Sequence, residues 1–187
     1  DIEAFRGIPS FAPASLAQPR IVHLGRLTPE RGLHIFEAVA AQSWARVTVV
    51  GGETAVPGAI NTGFVPLSEV PDWYGRSDII LLPYQPEIDT AATMSPLKLF
   101  EALAAGRPIV ASDLPTVREV LSHERSALLV PPSETDAWVG AIERLRNDRK
   151  LAERLARGAV ELARRYTWKA RARGIAESLG LQQMTGG

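Results

Sequence analysis

The sequence contains no cysteine, which excludes disulfides and thiol chemistry and fits a reducing compartment such as the cytoplasm. No apolar run approaches the roughly 18 residues that a membrane-spanning helix needs. The first residues lack the basic start and apolar core of a secretory signal peptide. Lys plus Arg and Asp plus Glu number 21 each, so no net charge points to nucleic acid.

A length of 187 residues with 45% hydrophobic residues suits one globular domain. Residues 1–19 contain three prolines and no periodicity, which predicts a linker segment. Residues 20–187 are then the domain itself, with helices at its C-terminal end. The opening of the chain reads like the middle of a longer protein.

Short apolar runs alternate with helical patterns along most of the chain. Strands are expected at residues 21–24, 46–50, 60–65, 78–84, 108–111 and 127–130. Thr28 and Ser95, each followed by proline, are typical N-caps, and the helices they open should end near Ala41 and before Gly106. This alternation predicts an α/β fold: a doubly wound parallel sheet with helices on both faces. A further short helix is expected over residues 116–122, and only helices after Ser133.

Cations stand where the predicted strands end. Arg26 and Arg31 follow the first strand, and Lys98 lies in the first turn of the helix opened by Ser95. A cation at a helix N-terminus opposes the helix dipole, at a cost on the order of 0.3–1 kcal/mol. A bound anion reverses that sign, so two such helices favour a phosphate site, although side chains reaching into solvent are the alternative. The sequence has neither a P-loop nor a dinucleotide glycine motif.

Residues 25–32, GRLTPERG, are similar to the phosphate-binding stretch of the glycosyltransferase family 4 group. The family usually has Lys at the second basic position, where this chain has Arg31, which keeps the charge but changes its geometry. Residues 95–108, SPLKLFEALAAGRP, are similar to the donor-site helix of that family. The resemblance extends to about Leu179 and implies the donor-binding, Rossmann-like half of a retaining GT-B glycosyltransferase.

The resemblance also implies roles for particular residues. Arg26 and Arg31 stabilise the leaving diphosphate, and Glu101, the second of two glutamates in the family pattern, holds the ribose hydroxyls. The first glutamate falls at Thr93, which is not acidic, so Lys98 and the backbone amides of residues 94–97 are expected to take over its contacts. The implied donor-binding residues are Gly25, Phe64, Val65, Thr93, Met94, Ser95, Leu97, Lys98 and Glu101.

Several residues keep two interpretations. Phe64 and Val65 lie near the nucleobase by analogy with the family, or Phe64 belongs to the core. Glu87 and Asp89 contact sugar hydroxyls or are simply solvated, which we favour. The three histidines show no metal-ligand spacing, and the resemblance implies a donor site without a metal or other cofactor.

Residues 144–173 hold eleven Lys or Arg against three Asp or Glu. Such a segment suits an anionic membrane carrying a lipid-linked acceptor, or merely the solvated faces of helices. The nucleotide-sugar donor and an acceptor-binding N-terminal domain absent from this chain are the expected partners, with no nucleic acid. The whole enzyme is expected to be a hexosyltransferase, and the chain alone to be inactive. The alternatives are half of a nucleotide-sugar epimerase or a non-catalytic nucleotide-binding module.

Overall fold

A computed structural model of the chain describes residues 2–14, 16–86 and 97–178. Its strands are β1 (Arg20–Leu24), β2 (Arg46–Val50), β3 (Ile60–Asn61), β4 (Ile79–Leu82), β5 (Ile109–Ser112) and β6 (Leu128–Val130). The α-helices of the described residues are α1 (Leu33–Ala40), α2 (Val70–Arg76), α3 (Leu97–Ala105), α4 (Pro115–Arg118), α5 (Thr135–Asn147), α6 (Arg149–Ala163) and α7 (Trp168–Ser178). None of these helices is long and apolar enough to cross a membrane.

The six strands form one parallel sheet in the order β3-β2-β1-β4-β5-β6. The chain starts in the middle at β1, adds strands outward to β3, then returns to β4 on the other side of β1. This doubly wound sheet confirms the predicted fold class. The carboxyl ends of β1 and β4 are neighbours at the point where the winding reverses, which is where open α/β sheets bind ligands.

Both faces of the sheet are buried, as the nearly continuous apolar strands predict. Successive residues of β1 serve opposite faces: Val22 packs with α2 and α3, and Ile21 packs with α1 and α5. The largest buried side chain, Trp138, belongs to the second of these layers. The carboxyl edge of the sheet is thereby held on a rigid two-layer core.

The first described residues pack against the domain. We call residues 2–11 the strap; it begins with a 3-10 helix, Ile2–Phe5. Phe5 is only 8% exposed. The buried Arg107 guanidinium donates to the carbonyl oxygen of Pro9 at 3.1 Å and to that of Gly75 at 2.6 Å. The strap is therefore fixed beside α2 and the end of α3.

The helix expected from Thr28 to Ala41 is interrupted. Pro29–Arg31 forms a 3-10 turn, and α1 begins only at Leu33. Between them Gly32 has φ 79°, and a Cβ atom there would lie 2.6 Å from the Pro83 carbonyl oxygen. The close approach to the end of β4 imposes the break, since only glycine adopts this backbone without strain.

Three other predicted elements are shorter in the structure. The strand over residues 60–65 is reduced to the two residues of β3, an edge strand that pairs only with β2. The strand over residues 78–84 retains four residues, and the helix near 116–122 is the single turn α4. The helices after residue 133 and the end of α3 before Gly106 agree with the prediction.

Candidate functional site

The turn after β1 is built on Gly25. Its amide donates to the Val50 carbonyl at 2.7 Å, which ties the turn to the end of β2. Gly25 has φ 105°, and a Cβ atom on it would overlap Nζ of Lys98. Glycine adopts this backbone conformation without strain, and its lack of a side chain leaves room for Nζ of Lys98, which reaches from α3 across the end of β1.

Two arginines flank this turn. Arg26 is exposed, and Arg31, in the 3-10 turn, is half-buried. Nη1 of Arg31 lies 3.4 Å from the carbonyl oxygen of Arg26, so the two residues share one corner of the site. Arg31 stands just before α1 and not in its first turn, which corrects the helix-dipole argument for this residue. The charge of Arg31 nevertheless acts on Lys98, whether or not Arg31 belongs to α1.

Lys98 completes a group of three cations from two separate strand ends. It lies in the first turn of α3, as the sequence predicts, and the structure shows that it is half-buried. Burial lowers the pKa of Lys98, the charge of Arg31 lowers it further, and Glu101 acts in the opposite direction. Among the described residues, no carboxylate lies within ion-pair distance of Arg26, Arg31 or Lys98.

Glu101 stands one helical turn beyond Lys98 on α3 and is half-buried, as expected. The hydroxyl of Tyr74 donates to its Oε2 at 3.3 Å. Tyr74 is 2% exposed, and burial, with the charge of Glu101, raises its pKa well above the usual value. The phenol therefore stays protonated and holds one oxygen of the carboxylate.

Two further buried side chains at this edge escaped sequence reasoning. Tyr84 follows β4, and its burial, with Glu101 nearby, raises its pKa while Arg31 acts in the opposite direction. His23 is the penultimate residue of β1, and its ring packs edge-on against the ring of Phe36, with the two ring centroids 4.9 Å apart. Position at a strand end is the one signal by which either could have been found.

His23 carries an unusual buried nitrogen. Its Nε2 has no hydrogen-bond partner within the part of the chain that the structure describes. Burial lowers the pKa of His23 to about 3, and Lys98 and Arg31 contribute to that lowering, while the backbone of Arg26 and Gly25 acts against it. The imidazole is therefore neutral beneath the cations at ordinary pH.

An apolar surface lies near the third strand. Phe64 is 81% exposed, so the interpretation of Phe64 as a core residue is wrong. Ile60 and Leu67, 66% and 81% exposed, flank it in the sequence, and Val65 is half-buried against the core. Whether Phe64 and Val65 meet a nucleobase stays a prediction.

Some predicted site residues lie outside the described part of the chain. Thr93, Met94, Ser95, Glu87 and Asp89 all belong to this group. Leu97, the first described residue of α3, is 71% exposed. Within the described ranges, no group of three His, Asp or Glu side chains is arranged to hold a metal ion.

The doubly wound parallel sheet is that of one half of a GT-B fold, and the candidate site lies at the carboxyl ends of β1 and β4. The family model for glycosyl transferases group 1 matches residues 18–148, and the chain belongs to this family.

Relatives and solved structures agree with this assignment. A D-inositol 3-phosphate glycosyltransferase from Jonesia denitrificans is 26% identical over 79% of this chain and 39% of its own length. The structure of HepE from Anabaena in complex with UDP has a TM-score of 0.78 and 19% identity, covering 96% of this chain and 55% of its own.

A third comparison concerns an isolated domain. The C-terminal domain of a group 1 glycosyltransferase, LpcC from Francisella tularensis, has a TM-score of 0.69 and 18% identity, covering 89% of this chain and 97% of its own. This chain thus corresponds to nearly the whole of that C-terminal domain. It spans less than half the length of the first curated relatives it matches.

Proposed function

We propose that this chain is the donor-binding part of a retaining glycosyltransferase that uses a nucleoside diphosphate sugar. The observation that carries the proposal is the convergence of Arg26, Arg31 and Lys98 at two adjacent strand ends without a described carboxylate partner. Charges that repel one another at a half-buried position are stabilised by a multivalent anion, and a diphosphate supplies one. The HepE structures described with UDP and with UDP-glucose support this choice of ligand.

The same cations have a role in the reaction. Transfer breaks the bond between the anomeric carbon and the diphosphate oxygen and forms a bond from that carbon to an acceptor oxygen. The electron pair of the broken bond leaves with the diphosphate, and the acceptor's proton passes to the departing phosphate or to solvent. Negative charge on the departing group therefore increases toward the transition state. Arg26, Arg31 and Lys98, with the N-terminus of α3, stabilise the product of this change more than the starting state, which is the kind of binding that raises the rate.

Other residues orient the donor. Glu101 accepts hydrogen bonds from the ribose hydroxyls through the carboxylate oxygen that Tyr74 leaves free. Phe64 lies beside the nucleobase. The transferred unit is a hexose, its anomeric configuration is retained, and no metal or other cofactor takes part. Acceptor-binding groups come from the remainder of a longer, two-domain protein, so this chain alone binds donor and transfers little.

We include a membrane or lipid-linked acceptor in the proposal because of the basic C-terminal segment. The exposed cations Arg157 on α6, Arg164 just after it and Lys169 on α7 accompany Trp168, which is 63% exposed. Cations mixed with aromatic side chains suit the surface of an anionic bilayer. The epimerase and the non-catalytic module stay as alternatives. Sugar epimerisation by the whole protein favours the epimerase, and donor binding without any transfer by the whole protein favours the non-catalytic module.

Calorimetric titration of the chain with UDP-, GDP- and ADP-sugars and the free diphosphates tests the proposal and identifies the base. Arg26→Ala and Arg31→Ala should each weaken binding by about 1.5–3 kcal/mol, the scale of a hydrogen bond to a charged group. Arg46→Ala is the matched control, because Arg46 lies at the opposite edge of the sheet. Unchanged affinity in both site variants contradicts the assignment.

The same titrations should show strong salt sensitivity, because the cations lie at an open edge. Transfer to simple or lipid-linked acceptors is then assayed with the chain alone and with the remainder of the protein supplied. Robust transfer by these 187 residues alone contradicts the proposed division of labour.

A further inference from the structure

Tyr74 is a buried polar group whose partner lies in the proposed site. It belongs to α2, which packs against both β1 and α3. At 2% exposure its hydroxyl has left bulk water and needs a partner within the protein. The acceptor is Oε2 of Glu101, 3.3 Å away. The buried residue of α2 thus directs its hydroxyl at the carboxylate of Glu101.

The bond leaves Glu101 partly free. A carboxylate has about four acceptor positions, and Tyr74 takes one of them. Among the described residues, no Lys, Arg or His lies within ion-pair distance of Glu101. A glutamate side chain has three rotatable bonds, and ordering it when a ligand binds costs conformational entropy. A carboxylate already held at one oxygen has less of that freedom to lose.

Tyr74 is itself held from the other side. The ring of Phe5, in the strap, lies 5.9 Å from the ring of Tyr74, centroid to centroid. Arg107 fixes the strap through Pro9 and fixes the end of α2 through Gly75. The phenol is enclosed between Phe5 and Glu101, so its hydroxyl cannot readily turn away.

We propose that Tyr74 is a positioning residue for nucleotide recognition: it holds the Glu101 carboxylate so that the oxygen left free accepts the hydroxyls of the ribose. This inference rests on the proposed function, in which Glu101 receives those hydroxyls. Tyr74 does not touch the donor. It acts through Glu101, and its effect belongs to the ribose and not to the phosphates.

The test removes only the hydroxyl. Tyr74→Phe keeps the ring between Phe5 and α3, and calorimetry compares UDP, 2′-deoxy-UDP and inorganic pyrophosphate as ligands. The corresponding guanosine or adenosine pair replaces the uridine pair where the nucleotide panel shows tighter binding. UDP affinity should fall about three- to tenfold, while the affinities for 2′-deoxy-UDP and pyrophosphate stay within twofold of the wild-type values. Tyr166→Phe is the matched control, because Tyr166 is 40% exposed and packs on Phe100, and the described hydrogen bond from a tyrosine to Glu101 is that of Tyr74.

Glu101→Gln separates the possible failures. If this variant loses the preference for UDP over 2′-deoxy-UDP and Tyr74→Phe keeps it, the inference about Tyr74 is overturned and the proposed function stands. If the wild-type chain binds no nucleotide, both are overturned. In the double variant, the Tyr74→Phe change should have no further effect, because its role passes through Glu101.

A measurement on the wild-type side chain covers the case in which Tyr74→Phe does not fold. The chain has three tyrosines, so fluorotyrosine labelling gives three fluorine resonances, assigned with Tyr84→Phe and Tyr166→Phe. Saturation with UDP should shift the Tyr74 resonance more than saturation with 2′-deoxy-UDP. Equal shifts with the two nucleotides overturn the inference.

Discussion

At the amino edge of the sheet, Arg20 and Arg107 find their hydrogen-bond partners within the chain, whereas Arg26, Arg31 and Lys98 at the carboxyl edge have no carboxylate partner among the described residues. Arg20 forms a two-pronged pair with Asp78, with contacts of 2.9 and 2.8 Å. Arg107 is 4% exposed and donates to five carbonyl groups, those of Pro9, Gly75, Ser77, Ala105 and Gly106. A cation whose hydrogen-bonding groups are satisfied internally stabilises the fold, and a cation without a described carboxylate partner is available to an external anion.

Burying a cation costs free energy at both edges of the sheet, and at the amino edge the described hydrogen bonds within the chain offset that cost. Burial lowers the pKa of Arg107, but its several carbonyl acceptors offset the loss of water. Burial also lowers the pKa of Lys98, and there the neighbouring Arg31 adds repulsion. The carboxyl edge therefore carries electrostatic repulsion, which the diphosphate of the proposed function would relieve. Functional sites often sacrifice stability in this way.

The largest effect should follow from Arg107→Ala. Several buried carbonyl groups lose their donor, so the free energy of unfolding should fall by about 3–5 kcal/mol. Urea unfolding measures this fall, and Arg154→Ala, an exposed arginine on α6, is the control. Nucleotide affinity per folded molecule should not change. A loss below about 1 kcal/mol contradicts the structural role of Arg107.

Lys98→Met tests the opposite edge, since it removes the charge and keeps an apolar stem. Nucleoside diphosphate affinity should weaken by about 1.5–3 kcal/mol. The free energy of unfolding should rise by about 0.3–1 kcal/mol, because a cation at a helix N-terminus is removed. Lys150→Met is matched, being an exposed cation in the first turn of α6, and should change stability alone. A lower free energy of unfolding for Lys98→Met than for wild type contradicts the contrast between Arg107, which stabilises the fold, and Lys98, which does not.

His23 makes stability depend on pH. Its pKa is about 3 in the folded chain and about 6.5 when unfolded, so the unfolded state binds more protons between these values. The contribution of His23 to the free energy of unfolding is complete above pH 6.5. It falls by about 1.4 kcal/mol per pH unit as the pH decreases toward 3. His23→Gln should lessen this slope by that amount in urea unfolding between pH 4.5 and 7. His34→Gln, on α1, serves as control, and parallel curves for wild type and His23→Gln contradict the prediction.

The smallest effect is expected at Phe64. Phe64→Ala should leave the free energy of unfolding within about 0.5 kcal/mol of wild type, because the ring is 81% exposed. Nucleotide affinity should fall by roughly 1 kcal/mol if the ring stacks on the base. Leu67→Ala, at equal exposure, is the control for loss of apolar surface. Calorimetry that finds the two variants equal removes Phe64 from the base pocket.

Sequence reasoning succeeded where local chemistry decides the outcome. Apolar runs separated by helical patterns predicted the parallel sheet, because strands buried on both faces must be apolar throughout. Gly106 ends α3 in the left-handed conformation, as a C-cap glycine should. Arg26, Arg31 and Lys98 stood out because charge at strand and helix ends contrasts with an apolar pattern, whereas Glu101 was proposed from the resemblance to the family, and the roles of all four stay predictions.

It failed where contacts distant in sequence decide. The break at Gly32 depends on Pro83, 51 positions later, which no local pattern reports. Sequence analysis did not single out Tyr74 or Tyr84, since no residue near either of them in the sequence indicates that Glu101 lies close by. The sequence left open whether Phe64 is buried, because its exposure depends on where β3 ends, and β3 stops at Asn61.

What the sequence determined by itself is the class of fold, the position of the cations at strand ends, and the turns that glycine and proline require. These follow from propensity and periodicity, which act over a few residues. The tertiary structure alone decided that β4 returns beside β1, which brings Lys98 over Gly25 and Tyr74 under Glu101. Strand order and these contacts depend on burial and close approach between segments far apart in the chain. The sequence of a single segment therefore does not determine the free energy of that packing.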